Sequence, residues 1–264
     1  MILQDSAKGL FVCASLPDQE ERRRSVASRF RDKRQLVFVE SIDGRNWSIN
    51  ETEAYMSLEF RDLWRTMRER GRKWLSSGAV ACALTHRDKM LPLAENNDII
   101  ICEDDAKFSH EFIELWRQAE LRKTFNAIRG VVLLHYIARE PIKSIGDPIA
   151  DLGKYKIFRI QTASVASTAS YYISPNCAGE LRVIQTPLIA TPDSWMLFKG
   201  KIKDFEVFVV DPPPVQIFPF DSSVGYGGRR LNGVLAPILQ LLRVCKWQID
   251  RWRGRRFDRV EKAG

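Results

Sequence analysis

The chain has 264 residues, 45% of them apolar and 28% charged, with a net charge of +8. These proportions fit an ordinary soluble globular protein with a core to bury and exclude a wholly disordered chain. The charge is unevenly placed: residues 229–264 carry +7 and the preceding 228 only +1, so the body offers no basic face and no nucleic-acid partner is expected.

Residues 9–16 (GLFVCASL) form a short apolar run closed by Pro17 and read as a strand. Asp18 is placed to cap a helix over 19–30, which has acids in its first turn and arginines after them. Residues 35–42 (QLVFVESI) read as a second strand, closed by the turn pair Asp43-Gly44. Helices over 51–70 and 78–95 follow, the second starting after the capping pair Ser76-Ser77. Asn96-Asn97-Asp98 then breaks the helix, and 99–102 (IIIC) is an unbroken apolar run of the kind buried on both faces of a sheet. A helix over 109–122 leads to a further buried strand over 130–136 (GVVLLHY). Strand and helix in alternation predict an α/β sheet with helical crossovers. The second half is less regular, with strands expected over 155–160, 169–173 and 205–210 and a short helix over 175–184.

Five widely spaced cysteines with no C-x-x-C pair point to a reducing compartment. The opening residues lack a basic stretch followed by a long apolar one, so no secretion signal is expected. A cytoplasmic protein is the expectation.

The acids Glu103, Asp104 and Asp105 follow the IIIC run directly. Ligands in α/β sheets sit beyond the carboxyl ends of the strands, which is where this triplet falls. Acids two apart at a strand end point the same way. Glu103 and Asp105 therefore suit a hard divalent ion, Mn2+ or Mg2+, bridging the phosphates of a nucleotide. In this reading Asp105 is the direct ligand, with Glu103 beside it, and Glu103 or Asp104 reaches the ribose or a metal-bound water. The alternative is a solvated acidic turn.

Residues 78–108, GAVACALTHRDKMLPLAENNDIIICEDDAKF, resemble the signature region of glycosyltransferase family 25, the lipooligosaccharide and collagen galactosyltransferase group. The family pattern is a G-E-I-G-C-x-x-S-H helix followed by an apolar strand ending in E-D-D. Gly78, Cys82, Thr85 and His86 take the first set here, and Glu103, Asp104 and Asp105 the second. Leu16 with Arg22 and Arg23 is similar to the opening strand and its arginine element, and FVESIDG (38–44) to the element that follows. SYYISPNCAGEL (170–181) and Pro192-Asp193 continue the match in order. Ala79 stands where the family has Glu, and Ala81 where it has Gly.

The resemblance implies a GT-A type fold, one Rossmann-like sheet flanked by helices, and a UDP-sugar donor, with galactose the expected sugar. It implies that Leu16, Arg22, Arg23, Asp43, His86, Glu103 and Asp104 contact the donor, although Arg22 and Arg23 also fit a solvated helix face, Asp43 a turn residue and His86 a structural histidine. Asp193 is the candidate base for an inverting transfer to a glycan or lipid-linked glycan, the alternative being a helix cap. Trp195 is either a sugar-stacking surface or core.

Residues 231–259 place Leu231, Leu235, Ile238, Leu242, Cys245, Ile249 and Trp252 on one stripe, with arginines crowding the end. A basic amphipathic C-terminal helix is expected there, resting on an anionic membrane surface or packed on protein. The expected organisation is a transferase domain over 1–228 and a tail over 229–264, peripheral on the inner face of the membrane. The rival classes are a metal-dependent phosphoryl hydrolase and a basic nucleic-acid-binding module. The hydrolase would want more acids and histidines than the chain supplies.

Overall fold

The computed structural model describes residues 9–69, 76–138, 140–162 and 165–220. The expected tail helix over 231–259, and the boundary between 228 and 229, lie outside the described residues. Among the described residues no helix is long and apolar enough to cross a membrane.

Twelve strands are described: β1 (Leu10–Ser15), β2 (Leu36–Glu40), β3 (Ile99–Glu103), β4 (Ala106–Phe108), β5 (Gly130–Leu133), β6 (Ile137–Ala138), β7 (Ala150–Leu152), β8 (Tyr155–Arg159), β9 (Val165–Ala166), β10 (Ser170–Ile173), β11 (Glu206–Asp211) and β12 (Val215–Ile217). Eight form one mixed sheet in the order β2-β1-β3-β10-β5-β11-β8-β7. β1, β2 and β3 run parallel, as the crossover pattern predicts, and so do β5 and β11. β10 does not follow that pattern: it runs antiparallel between β3 and β5. A parallel neighbour needs a crossover of a dozen or more residues, usually a helix, and no helix is described between β5 and β10. The short strands β4 and β12 pair with each other, and β6 pairs with β9.

Among the described residues nine α-helices accompany the sheet: α1 (Glu20–Ala27), α2 (Ile49–Glu53), α3 (Leu58–Glu69), α4 (Ser77–Thr85), α5 (Leu91–Ala94), α6 (His110–Trp116), α7 (Ala119–Asn126), α8 (Pro175–Ile184) and α9 (Trp195–Lys199). The expected helical runs over 51–70 and 109–122 are each broken in two, and the run over 78–95 is continuous but contains a change of helix type. A π-helical turn, His86–Met90, separates α4 from α5 just before Pro92, whose missing N–H disrupts regular helix pairing. Asp18 does not cap α1; the cap position is Gln19, without a side-chain bond, and Asp18 accepts a 2.7 Å ion pair from Arg45 instead. Ser76 caps α4 through the Ala79 N–H, as expected.

The period of two along the buried strands separates two cores. Val12, Ile99, Ile101, Val131 and Tyr171 face α5, α8 and α9, while Phe11, Ile100, Cys102, Val132 and Tyr172 face α1, α6 and α7. A third cluster, Met56, Phe60, Trp64, Val80 and Leu84, joins α3 to α4.

Candidate active site

The register of the parallel strands brings their carboxyl ends to one edge. Ser15 of β1 lies opposite Glu40 of β2, and Ala14 opposite Glu103 of β3. Because β10 is antiparallel, its beginning reaches the same edge, with Ser170 opposite Cys102. That reversal brings Thr168 to Glu103, a contact no sequence motif announces.

Glu103 turns inward. Its Oε1 accepts a 2.5 Å hydrogen bond from the Thr168 hydroxyl and lies 3.8 Å from Cys82 Sγ and 3.5 Å from His86 Nε2. Burial works against its charge, yet the His86 ring, the Thr168 hydroxyl and Arg22 together outweigh it and hold the carboxyl below its usual range. Asp104 points the other way. It is 6% exposed and takes a 2.9 Å ion pair from Arg22; burial still raises its pKa against the pull of the Ser15 hydroxyl and Arg22.

Asp105 is pushed up to about 7, first by burial and then by the charge of Glu103, with Arg22 opposing at 3.6 Å. Its Oδ1 is buried with no hydrogen-bond partner, an uncompensated acceptor at this edge of the sheet. The roof over it is the segment after β12. Phe218 N–H donates to the Asp105 carbonyl at 2.7 Å, and the Phe220 ring lies over the Arg22 guanidinium at 5.3 Å.

Neither Arg22 nor Arg23 lies on a solvated face. Arg22 is 7% exposed and turned onto the two aspartates. Arg23 donates from Nε to the Ser15 hydroxyl at 3.0 Å and from its other nitrogen to the Ser15 carbonyl at 3.2 Å, so it braces the end of β1. Leu16 is buried, and its carbonyl accepts the Gln19 N–H.

After the ends of β1 and β2 opens a cleft of about 440 Å3 lined by Pro17, Asp18, Ile42, Asp43, Arg45 and Lys89. Asp43 accepts from the Arg45 N–H at 3.0 Å and from its guanidinium, which lowers the carboxyl's pKa. It is thus a turn residue and a cleft wall at once. The cleft keeps its shape through α4. The Thr85 hydroxyl accepts the Ile42 N–H at 2.9 Å, and Lys89 donates to the Glu40 carbonyl at 2.7 Å.

His86 is 3% exposed, with Nδ1 at 2.8 Å from the Tyr171 hydroxyl. It meets the triplet at Glu103, 3.5 Å from Nε2. His135 lies near the same edge, its Nδ1 at 2.8 Å from the Ser167 hydroxyl, and burial lowers its pKa to about 4, so it is a neutral ring.

Asp193 is half-buried in the turn before α9, where the cap position belongs to Ser194 rather than to Asp193. Its charge, with that of Glu103, adds to burial in raising the Cys82 thiol, so Asp193 lies near Cys82. Trp195 is core: it is 1% exposed, packs on Tyr171 at 4.9 Å and donates Nε1–H to the Ser167 carbonyl. Cys82, Thr168 and Lys89 are the residues the sequence reading assigned no role at the site. Only the Cys82/His86 spacing of four, which puts both side chains on one helix face, was there to be seen.

The family model for glycosyltransferase family 25, described as an LPS biosynthesis protein, matches residues 10–196. No curated protein matches the chain. The matched span covers the parallel strands, α4, the acidic triplet and Asp193. The chain therefore belongs to glycosyltransferase family 25 and is an enzyme that moves a sugar from a donor to a glycan acceptor.

Proposed function

We propose that this transferase uses a UDP-sugar, with galactose the sugar the resemblance favours, and needs a divalent cation held at Asp105 with Glu103 beside it. The reading rests most on the Asp105 carboxyl: buried, crowded by Glu103, with one oxygen unpartnered and at the edge where the parallel strands end. Oxygen donors of this kind suit Mn2+ or Mg2+. The cation, when bound, would neutralise charge growing on the leaving diphosphate. The eight-stranded mixed sheet with its cleft at the ends of β1 and β2 supports a GT-A type fold.

In this reading the cleft walled by Asp43 and Arg45 receives the nucleoside. Arg22 neutralises Asp104 and keeps two like charges from splaying the end of β3. Asp193 takes the proton of the acceptor hydroxyl as that oxygen attacks, which favours an inverting transfer. From sequence alone, residues 231–259 are read as resting on an anionic membrane beside a lipid-linked glycan.

Thermal melting with UDP and Mn2+ tests the donor site. Together the two ligands should raise the melting temperature, and Asp105→Asn should abolish the rise. A shift of equal size in that variant overturns the assignment.

A further inference from the structure

The contacts of Glu103 include two side chains from one helix face, Cys82 and His86. They lie one helical turn apart on α4 and its π-turn, so both face the end of β3. One atom from each of Cys82, His86 and Glu103 comes within 4.8 Å of the others. A tetrahedral ion with bonds of roughly 2.0–2.3 Å leaves its ligand atoms about 3.3–3.6 Å apart. The distances from Glu103 Oε1 to Cys82 Sγ and His86 Nε2 are 3.8 and 3.5 Å, so small side-chain adjustments close the set.

A second observation points to a ligand. His86 Nε2 is buried and makes no hydrogen bond among the described residues, though its ring is 3% exposed. Its other nitrogen sits 2.8 Å from the Tyr171 hydroxyl, the outer partner that a metal-bound imidazole commonly has. Nε2 faces Glu103 Oε1 at 3.5 Å, beyond ordinary hydrogen-bond reach, so a cation between them would satisfy both. The Thr168 hydroxyl also donates to that oxygen. Asp193 and Asp105 add negative charge around Cys82, which favours a cation among them.

We propose that Cys82 Sγ, His86 Nε2 and Glu103 Oε1 form a binding site for a borderline divalent cation of the Zn2+ type, distinct from the hard-cation position at Asp105. One sulfur, one imidazole nitrogen and one carboxylate oxygen match that ion class and suit Mn2+ or Mg2+ poorly. Three protein ligands leave a fourth position for water. The ion would tie α4 to the end of β3 and fix the rotamer of Glu103. It goes beyond the UDP-sugar reading and shares only Glu103 with it.

Co2+ reports such a site by spectrum. The full chain, stripped with chelator and titrated anaerobically, should take up one equivalent. It should develop the intense visible bands of tetrahedral Co2+ and a thiolate charge-transfer band, both erased by Zn2+. Cys82→Ala should remove the charge-transfer band and weaken binding by more than the roughly 10–100-fold that loss of an outer-shell partner causes. Asp105→Asn should leave the Co2+ spectrum intact while losing the UDP–Mn2+ thermal shift. Cys82→Ala should keep that thermal shift, so failure of either site is seen separately. A weak octahedral spectrum from the wild-type chain, or a charge-transfer band that survives Cys82→Ala, overturns the proposal. Should Cys82→Ala fail to fold, peptide mapping of the wild-type chain decides: Zn2+ must protect Cys82 from alkylation, and lack of protection sinks the site.

Discussion

Replacing Arg22 by methionine, which keeps an apolar stem and removes the charge, tests the electrostatics of the triplet. The Arg22–Asp104 pair has side chains 9% and 8% exposed at 2.9 Å, and Asp105, 21% exposed, lies 3.6 Å away. At an effective dielectric near 20, those separations correspond to gross attractions of about 6 and 5 kcal/mol. Desolvation of three charges offsets much of this. Breaking a buried pair by removing one partner nevertheless costs about 3–5 kcal/mol, because the other charge stays buried and unpaired. For a chain of this size that corresponds to a fall of roughly 6–20 °C in melting temperature. Adding Asp104→Asn should return part of the loss, with a coupling of roughly 0.5–3 kcal/mol in a double-mutant cycle. Mn2+ should stabilise Arg22→Met more than the wild type, since the cation then meets carboxylates that no guanidinium occupies. The Lys123–Glu120 pair is the control: at 72% and 81% exposure, Glu120→Gln should change stability by less than about 1 kcal/mol. An Arg22→Met variant that melts within about 2 °C of wild type without cation would refute the argument, since it leaves less than about 1 kcal/mol for the pair.

Three further predictions follow from single side chains. His135, held near 4 by burial, binds fewer protons when folded than the unfolded chain does between about pH 4 and 6.5, so stability should rise with pH across that window. The full effect is about 3 kcal/mol, and His135→Gln should flatten that part of the curve in urea melts at stepped pH. Gly130 has φ +143, and an added Cβ would lie 1.9 Å from the Glu206 carbonyl oxygen, so Gly130→Ala should destabilise by more than about 3 kcal/mol and leave little soluble protein. Asp193→Asn should lower kcat by roughly 10²–10⁴-fold while the UDP–Mn2+ thermal shift stays as in wild type, and a kcat within threefold of wild type removes Asp193 as the base.

What could be read from the sequence was what depends on neighbours along the chain. The IIIC run reads as a central strand because four apolar residues in a row suit a strand covered on both faces, and β3 is paired on both edges with its residues shared between the two cores. α8 follows the expected bounds, 175–184, because Pro175 occupies its first turn and an apolar face runs its length. β4 and β12 were not seen because three-residue strands carry no usable period. The direction of β10 was not readable because it is set by the connection before it rather than by its own residues.

The same division runs through the site. The triplet was visible as three acids after a strand, but the different directions of its side chains were not: Asp104 goes to Arg22 and Glu103 to His86, Cys82 and Thr168, partners 17 to 82 positions away. Those partners meet only because β1, β3 and β10 share one register. A one-residue slip of β10 would turn its side chains to the opposite faces, taking Tyr171 away from His86 and shifting Thr168 off Glu103. The antiparallel strand that the crossover pattern did not foresee is therefore what orients the first acid of the triplet, and a pattern read along the chain alone has no access to it.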